Sequence, residues 1–586
     1  MRSVAGAGLI VLLLSGTAIA QSSAAPPAAT PAASFGHYAV APAYDGVDSK
    51  SFYVTMRDGV KLAVRVDRPT RGGQVEAAKL PVIWHHSLSV SQQLADGVGE
   101  GISATREFPK LVRYGYVIVQ VARRGNGQSF GAMRGYHDRN EAQDAFDMID
   151  WLSKQDWSNG KVGMYGCSNT GDATMHALTM RPPALKAAFA GCFSWNKYDA
   201  FRRGGVFAQW GTGPTRSIEQ DMKVTPVDGD PHKVQLRQAA EQHQQATPLF
   251  QMWKELPYRD SFSTLVGSRF WAEGSASSYA SQIRMTGIPL YIMGGWHDEL
   301  RDQAFITNRN IPGSHVVIGP WKHCQNPDFA MLEEMHRFFD RYLKDIDTGI
   351  DRDQAIHYYT MNAAAGSEWR STPVWPLSNT SPTSWFLSDG GRLGQKRVGG
   401  GKGVEFTVQY ALSCPEAGSG STVQPCHVNG AGPSFTSAPM KAATEVTGNP
   451  VADIWIETKA PDANIFLYLE DVGPDGKVTV VTEGRLKASL RKLDKAPWAI
   501  PGDYPWHRAF AEDVQPVEPD APTRLQFDIM PTSWVFRPGH RIQFTVAGAD
   551  HRERAREELK PAPVVRILTD GRHASQVMLP VIAAGR

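Results

Sequence analysis

Short apolar runs are separated by amphipathic or polar stretches through the first half of the chain. Six such runs have the composition of strands buried on both faces of a parallel sheet: residues 80–84, 114–122, 161–165, 185–191, 288–295 and 314–319. Between the second and third runs, apolar residues recur at helical spacing (Ala142, Ala145, Phe146, Ile149, Leu152), with acidic residues at the remaining positions (Glu141, Asp144, Asp147, Asp150). Strands that alternate with helices in this way predict an α/β fold with a parallel sheet.

Ahead of these runs, two segments alternate apolar and polar residues at the period of a strand. They cover 51–57 and 60–66, and Asp58 and Gly59 lie between them. A turn dipeptide of this type joining two alternating segments is typical of a β-hairpin. The first domain is therefore predicted to begin with an antiparallel hairpin.

The pattern changes twice more along the chain. Residues 205–282 contain Gln- and Ala-rich stretches with Trp210, Trp253 and Trp271, which favours a helical insertion with exposed aromatic side chains. From about 355 onward, short strand-like segments are separated by Gly, Pro and Asp, which favours an antiparallel β-sandwich over 355–586. The α/β domain is then expected in two parts, 46–204 and 283–354.

The N-terminal segment has the features of a secretory signal peptide. Residues 9–14 are apolar but too few to span a bilayer, and Ala18-Ile19-Ala20 resembles a cleavage site, so residues 1–20 are predicted to be removed on export. The Ala, Pro and Ser residues that follow favour a disordered tether over 21–45. No later run is long enough to cross a membrane, so a periplasmic or extracellular protein is expected, without membrane attachment after cleavage.

Composition and charge exclude several other classes. With 42% hydrophobic and 20% charged residues, the chain has the usage of a globular protein. Its net charge of +2 gives no field that would attract nucleic acid, so no nucleic-acid partner is expected. Gly125, Gly127 and Gly131 have the wrong spacing for a dinucleotide fingerprint, and no cofactor is predicted.

Five cysteines allow two disulfides and one remaining thiol. Cys414 and Cys426 flank a Gly- and Ser-rich loop and are the expected bridge. Cys167 is expected to be a structural thiol or to pair with Cys192. Neither the cysteines nor His85 and His86 have the spacing of a metal site, so no metal is predicted.

The strongest chemical motif is Gly166-Cys167-Ser168-Asn169-Thr170-Gly171, which lies where the strand 161–165 must turn into a helix. A serine between glycines at such a turn is typical of a nucleophile elbow, in which a strained backbone presents the hydroxyl above the sheet. The usual form has its second glycine two residues after the serine, whereas here it comes three residues after. Ser168 is nevertheless the expected nucleophile.

Two further residues complete a chain order of Ser, Asp and His. Asp298 follows the strand 288–295, and His323 follows the strand 314–319. This is the order of α/β-hydrolase triads. A serine hydroxyl needs a base to take its proton, and that base needs an acid to orient it. His323 is therefore the expected base and Asp298 the expected acid.

At this point the motifs resemble a known family. MRDGVKLAV, EAQDAFDMIDWLSKQDWSNGKVGMYGCSNTG, MGGWHDEL, IGPWKHC and FFDRYLKDIDTGI are similar to the cocaine esterase-like and X-Pro dipeptidyl peptidase-type serine hydrolases. That group also holds α-amino-acid ester hydrolases and acylases. The resemblance implies an α/β-hydrolase domain with an inserted helical cap and a C-terminal jelly roll that contributes to the active-site wall. It assigns the same three roles to Ser168, Asp298 and His323.

The resemblance also implies an oxyanion hole, with departures from the family pattern. The backbone N–H of Asn169 is expected as one donor, although the family usually has Tyr at this position. A family tyrosine on the loop after the first core strand gives the second donor, and simple register puts Ser89 there. Because a serine reaches less far than a tyrosine, either Ser89 or His86, or a backbone amide, is expected to replace it.

The predicted function is that of an exported serine hydrolase that cleaves a small-molecule carboxylic ester or amide through an acyl-enzyme. An X-Pro dipeptidyl aminopeptidase or an α-amino-acid ester hydrolase is the alternative within the same chemistry. It would need cap carboxylates to hold the substrate amine, for which the chain offers Glu219, Asp221, Asp228, Asp230, Glu255 and Asp260. A non-enzymatic carbohydrate-binding protein that uses the sandwich is the other alternative.

Overall fold

The computed structural model describes Met1 and residues 34–582, except for residues 91–103, 136, 208–216, 415–424, 503 and 554–555. The predicted signal peptide over 1–20 therefore lies almost wholly outside the described residues, as does most of the predicted tether. Among the helices that are described, none has both the length and the apolar character that crossing a membrane requires.

The first half of the chain forms an 11-stranded sheet. Its strands are β1 (Gly46–Thr55), β2 (Lys61–Arg71), β3 (Gln74–Val75), β4 (Leu80–Ser87), β5 (Val117–Ala122), β6 (Ser158–Cys167), β7 (Leu185–Gly191), β8 (Leu290–Gly295), β9 (His315–Gly319), β10 (Ile356–Tyr359) and β11 (Trp369–Thr372). They lie in the order β1-β2-β5-β4-β6-β7-β8-β9-β10-β11, with β3 paired to β2. The strands from β5 to β10 in this order are parallel to one another, and the predicted hairpin is confirmed as the antiparallel pair β1 and β2.

The α-helices of the described residues are α1 (Ala104–Glu107), α2 (Arg139–Ser153), α3 (Asn169–Thr179), α4 (Lys197–Phe201), α5 (Ile218–Asp221), α6 (Val234–His243), α7 (Leu249–Lys254), α8 (Phe270–Glu273), α9 (Ala280–Thr286), α10 (Arg301–Asn310) and α11 (Met331–Lys344). Apolar clusters cover both faces of the central sheet, with Trp84 in one and Ile83 in the other. Side chains of successive strand residues point to opposite faces, so both faces of β4 are buried.

The helix predicted from the spacing of Ala142 to Leu152 is confirmed as α2, and part of its acidic face is buried. Glu141 and Asp144 are buried. Nε of Arg123 lies 3.4 Å from Glu141, and Arg124 forms two hydrogen bonds with Asp144 at 2.7 and 2.9 Å. Helical periodicity alone does not show whether acidic side chains face solvent or meet buried cations.

Among the described residues, helices α5 to α9 lie in the region predicted as a helical insertion, before β8. The expectation of exposed aromatic residues is wrong for Trp253 and Trp271, which are both buried in a cluster with Tyr198, Phe207 and Leu490. Trp210 lies outside the described residues. Leu490 comes from the C-terminal half of the chain, so this cluster joins the insertion to that half.

The C-terminal half forms a 13-stranded sheet system. Its strands are β12 (Thr380–Ser388), β13 (Arg392–Gly394), β14 (Val404–Thr407), β15 (Ser434–Thr436), β16 (Thr444–Gly448), β17 (Val451–Thr458), β18 (Asn464–Val472), β19 (Val478–Lys487), β20 (Thr523–Asp528), β21 (Thr532–Phe536), β22 (Arg541–Ala547), β23 (Val564–Ile567) and β24 (Gln576–Ile582). The paired strands are antiparallel apart from the pair β13 and β15. The predicted start near residue 355 is too early, because β10 and β11 continue the first sheet.

The end of the predicted tether is ordered against the first domain. Tyr38 is only 2% exposed, and its hydroxyl donates to Asp340 at 2.8 Å. The backbone N–H of Gly36 donates to Glu334 at 2.9 Å, and the Phe35 ring stacks on His357. The prediction of disorder over 21–45 is therefore wrong from residue 34 onward, since Phe35 and Tyr38 supply the burial that the Ala- and Pro-rich segment lacks.

Candidate active site

Ser168, Asp298 and His323 follow the carboxyl ends of β6, β8 and β9, three strands of the parallel part of the first sheet. Ser168 comes directly after β6, Asp298 lies three residues after β8, and His323 lies four residues after β9. The carboxyl ends of parallel strands meet at one edge, which is where open α/β sheets place ligands. The three residues that the sequence predicted are thus brought to the same edge of the sheet.

A continuous hydrogen-bond chain joins these side chains. Nε2 of His323 lies 2.7 Å from Oγ of Ser168. On the other side of the ring, Nδ1 lies 3.1 and 3.2 Å from the two carboxylate oxygens of Asp298. Asp298 also accepts the backbone N–H of Leu300 at 3.0 Å. This geometry puts a base within reach of the hydroxyl proton and an acid behind the base.

The backbone at Ser168 has the strained form expected of a nucleophile elbow. Its φ of 62° is in the left-handed region, which is costly for a non-glycine residue, and it precedes the first residue of α3. A Cβ on Gly166 would overlap the carbonyl of Thr170, and one on Gly171 would lie 2.5 Å from the carbonyl oxygen of Gly191. Both glycines are therefore required by close backbone approach, and Gly171 fills the role of the second motif glycine despite its shifted position.

Burial and charge act in opposite directions on the two ionisable members. Burial alone would lower the pKa of His323, but the Asp298 charge and its hydrogen bond outweigh burial and raise that pKa above its usual value. Burial would raise the pKa of Asp298, yet the hydrogen bonds that it accepts and the charge of His323 lower it. Asp298 is thus held as a carboxylate, which stabilises a protonated His323.

The cysteine pairing differs from the expectation. Cys167 is bonded to Cys324, with a Cα–Cα distance of 6.0 Å, so the expected bridge to Cys192 is wrong. Cys192 is a buried free thiol whose Sγ accepts the backbone N–H of Cys324 at 3.3 Å. Pairing of this kind depends on loops that meet in space, which the spacing along the chain cannot reveal. The other expected pair, Cys414 and Cys426, is also bonded in this structure.

Asn169 begins α3, so its N–H has no intrahelical acceptor and lies at the positive end of the helix dipole. This agrees with the expected backbone donor. Its carbonyl oxygen lies 2.6 Å from Nε2 of His137 and accepts from Arg123 at 3.3 Å. Nδ1 of His137 lies 3.0 Å from the ammonium of the fully buried Lys197, which also contacts Asp172 at 3.1 Å. This buried group of charges fixes the start of the helix that follows Ser168.

The two expected side-chain donors are placed differently. His86 ends the buried part of β4 and packs beside Trp84, and burial holds its pKa well below the usual value, so its ring is neutral. Ser89 is half-buried and packs so closely on Gly127 that a Cβ there would lie 2.9 Å from that of Ser89. Within the described part of the chain neither side chain is hydrogen-bonded to Ser168. The second oxyanion donor remains a prediction.

One carboxylate beside the triad was not singled out from the sequence. Glu299 follows Asp298 directly and contributes to the raised pKa of His323. Its Oε1 lies 3.8 Å from Arg552 of the C-terminal half, while its Oε2 is buried without a hydrogen-bond partner among the described residues. Burial raises the pKa of Glu299 to about 7. The C-terminal half thus reaches the loop that carries Asp298.

Sequence reasoning also missed Arg123, which directly follows β5, and it considered Cys192, which directly follows β7, only as a disulfide partner. The signal was available, because polar residues at the carboxyl ends of successive parallel strands collect at one edge. By distance, the donor atoms of Cys192, Asp298 and His323 could hold a metal ion. In this structure the Asp298 carboxylate instead accepts hydrogen bonds from both His323 and Cys192, so hydrogen bonds join the three side chains.

Comparison with known proteins agrees with this geometry. Residues 58–325 match the family model of the X-Pro dipeptidyl-peptidase (S15 family), and residues 348–557 match that of the X-Pro dipeptidyl-peptidase C-terminal non-catalytic domain. A Mycobacterium bovis protein named "Putative serine esterase" is 31% identical over 92% of this chain and 96% of its own length. The chain belongs to the cocaine esterase-like, X-Pro dipeptidyl-peptidase-type serine hydrolases.

Other proteins are similar to this serine hydrolase over most of their length. The cocaine esterase of a Rhodococcus species is 25% identical over 90% of this chain and 97% of its own length. The crystal structure of an α-amino acid ester hydrolase superposes with a TM-score of 0.68 at 20% identity, covering 93% of this chain and 98% of that one. The crystal structure of a CocE/NonD family hydrolase from Staphylococcus aureus superposes with a TM-score of 0.67 at 20% identity, covering 92% of this chain and 94% of that one. The expected α/β-hydrolase fold with a β-rich C-terminal domain is confirmed.

Proposed function

We propose that Ser168, His323 and Asp298 are the catalytic triad of this hydrolase, and that it cleaves a carboxylic ester through an acyl-enzyme. The observation that carries the proposal is the hydrogen-bond chain from Ser168 Oγ through the His323 ring to Asp298. The strained φ at Ser168 supports it, because strain of this type is retained where surrounding structure and function require it.

In the proposed mechanism, Oγ of Ser168 attacks the ester carbonyl carbon while Nε2 of His323 takes its proton. The carbonyl oxygen becomes an oxyanion that the Asn169 N–H stabilises together with a second donor. His323 then returns the proton to the leaving alcohol, and the carbonyl reforms as an acyl-enzyme on Ser168. A water molecule, deprotonated by His323, repeats these steps and releases the acid. Throughout, Asp298 holds the Nδ1 proton and stabilises the charged ring.

The cap carboxylates support an ester substrate over an X-Pro peptide. A peptidase that recognises a free N-terminal amine needs carboxylate oxygens that are open to that amine. All six acidic side chains considered for this role, Glu219, Asp221, Asp228, Asp230, Glu255 and Asp260, are engaged within the protein. Their partners are, in the same order, Ser217, His243, Ser51, Val234, Gln251 and Ala511. They therefore have structural roles that account for their presence.

One observation favours a second candidate within the same chemistry, an ester of an α-amino acid. The buried Oε2 of Glu299 has no hydrogen-bond partner among the described residues and belongs to the residue next to Asp298. A substrate ammonium group could supply that partner. Arg552 already offsets part of the Glu299 charge, which makes a simple acyl ester the better-supported substrate.

A panel of chromogenic substrates tests these alternatives. It contains a simple acyl ester, the ester of a free α-amino acid, an acylamide and an X-Pro anilide, with Ser168→Ala as the blank. The proposal expects the highest kcat/KM for the simple ester. If the amino-acid ester were preferred, Glu299→Gln should raise KM for that substrate alone, whereas Asp230→Asn, which removes a charge that caps α6, should not. Preference for the X-Pro anilide would contradict the proposal.

We also propose that the protein is exported. The apolar segment 9–14 and the small residues before Gln21 support a cleaved signal peptide. Two disulfides support an oxidising compartment, since such bonds are rare in the cytosol. Cell fractionation and the N-terminal sequence of the mature protein test this, and a retained Met1 in the cytosolic fraction would contradict it.

A further inference from the structure

The Cys167–Cys324 disulfide lies next to the reacting atoms on both sides. Cys167 is the residue before Ser168, and Cys324 is the residue after His323. The bond therefore joins the two chain segments whose side chains must meet, Ser168 Oγ and His323 Nε2, at 2.7 Å. A link one residue away from each partner constrains their separation more directly than packing elsewhere in the domain can.

Apart from the disulfide, backbone hydrogen bonds to different strands and loops hold the Ser168 elbow and the His323 loop in place. The elbow is fixed through the N–H of Ser168, which donates to the carbonyl of Gly191 at the end of β7. The histidine loop is fixed to the loop after β8, where the N–H of His297 donates to the carbonyl of Trp321 at 2.9 Å. The disulfide joins the Ser168 elbow covalently to the His323 loop. It closes a chain separation of 157 residues.

The protonation state of the nearby Cys192 thiol disfavours exchange of the Cys167–Cys324 disulfide. The Sγ atoms of Cys167, Cys192 and Cys324 all lie within 4.8 Å of one another. Only a thiolate attacks a disulfide. Burial, followed by the charge of Asp298, raises the pKa of the Cys192 thiol well above its usual value. The Cys192 thiol therefore remains protonated and hydrogen-bonded to Asp298, and the exchange to a Cys167–Cys192 pair is disfavoured.

From this geometry we propose that Cys167 and Cys324 are positioning residues. Their disulfide holds the nucleophile against the base, and its reduction lowers the rate of hydrolysis while the fold is retained. In the reduction step, a small dithiol gives two electrons and two protons to the S–S bond. Cys167 and Cys324 become thiols, and the dithiol becomes a cyclic disulfide. This inference rests on the triad proposed above and adds a requirement to it.

The test compares the two disulfides of the full-length protein. Cys167→Ala with Cys324→Ala removes the bond beside the triad, and Cys414→Ala with Cys426→Ala removes the distant one as a matched control. Both variants, and wild type before and after treatment with dithiothreitol, are assayed for kcat and KM on one chromogenic ester. Intact mass after thiol alkylation reports which bonds are open, and circular dichroism reports the fold.

Misplacement of a reacting group by about 1 Å can cost about 10²-fold in rate. We therefore expect the Cys167/Cys324 variant to lose between about 10- and 100-fold in kcat with KM within about threefold of wild type. Reduced wild type should fall to the same kcat and recover on reoxidation, while the variant should not respond to the dithiol. The Cys414/Cys426 control should keep the wild-type kcat and the same sensitivity to the dithiol.

A kcat within about threefold of wild type in the folded Cys167/Cys324 variant would overturn the proposal. If that variant does not fold, reduced wild type decides: native circular dichroism with an open Cys167–Cys324 bond and unchanged kcat would overturn it equally. An equal loss of kcat in the control variant would also overturn it, because the effect would then be general. These failures differ from failure of the proposed triad, which would appear as activity in Ser168→Ala.

Discussion

A Cβ atom on Gly171 would lie 2.5 Å from the carbonyl oxygen of Gly191. The first turn of α3 is thus packed directly against the end of β7, and this contact sets the position of the elbow. Gly171→Ala must push helix and strand apart. We expect a loss of about 1–3 kcal/mol in the free energy of unfolding, as for other overpacked sites, together with a fall in kcat. Thermal melting and ester hydrolysis measure the two effects.

The control for this substitution is Gly229→Ala, because a Cβ at that position would meet no atom within 4 Å. It should leave both the melting temperature and kcat close to the wild-type values. If Gly171→Ala behaved like Gly229→Ala, the close packing of the elbow on β7 would not be what positions Ser168.

Local sequence patterns were sufficient to predict the strand-to-helix turn at Ser168 and the positions of Asp298 and His323. Ser168 was predictable because glycines flank a serine at a strand-to-helix turn, although the second glycine is displaced by one residue. Thr170 stands where the usual glycine would be, and its hydroxyl bonds the backbone of Cys167 at 2.8 Å. Asp298 and His323 were predictable because each follows a buried apolar run. Local patterns of this kind predict the parallel sheet, the order of Ser168, Asp298 and His323 along the chain, and the edge of the sheet at which they meet.

What the sequence could not supply depends on contacts between distant segments. The Cys167–Cys324 pair joins loops far apart in the chain, and the helical spacing of α2 gave no sign that Glu141 meets a buried arginine. The sequence favours an exposed Trp253, but this side chain is buried in a cluster that includes Leu490 of the C-terminal half. In each case the partner is chosen by tertiary packing, which local composition does not encode.

The raised pKa of His323 gives a prediction about pH. Only the neutral ring can take the Ser168 proton, so kcat/KM should rise with pH through the ionisation of His323. Because Asp298 raises that pKa above the ordinary histidine value, the midpoint should lie above about pH 6.5. A pH profile of kcat/KM for a substrate that does not ionise measures this directly.

Asp298→Asn removes the charge that raises the pKa of His323 and leaves burial, which lowers it. The midpoint of the profile should therefore move to lower pH, and kcat should fall by about 10⁴-fold because the ring loses its orienting carboxylate. An unchanged midpoint in this variant would show that the profile reports another group. Activity that required an added metal ion would contradict the triad mechanism.

The second oxyanion donor is expected from the segment 85–89. A tetrahedral intermediate is stabilised by more than one donor, and Asn169 supplies a single backbone N–H. Losing one such donor lowers kcat by about 10²–10³-fold. Either Ser89→Ala or His86→Ala should therefore reduce kcat much more than it raises KM. Steady-state kinetics of both variants decide between them, and values of kcat within about threefold of wild type in both would assign the donor elsewhere.

The central claim is that Ser168 is the nucleophile, and covalent labelling tests it most directly. A fluorophosphonate should react once with the wild-type protein, and peptide mass spectrometry should find the adduct on Ser168. Ser168→Ala should remain folded, since losing a hydroxyl there removes no core volume, and it should neither be labelled nor hydrolyse esters, with a loss of about 10⁴-fold or more. Labelling of Ser168→Ala at another serine, with ester hydrolysis retained, would contradict the account.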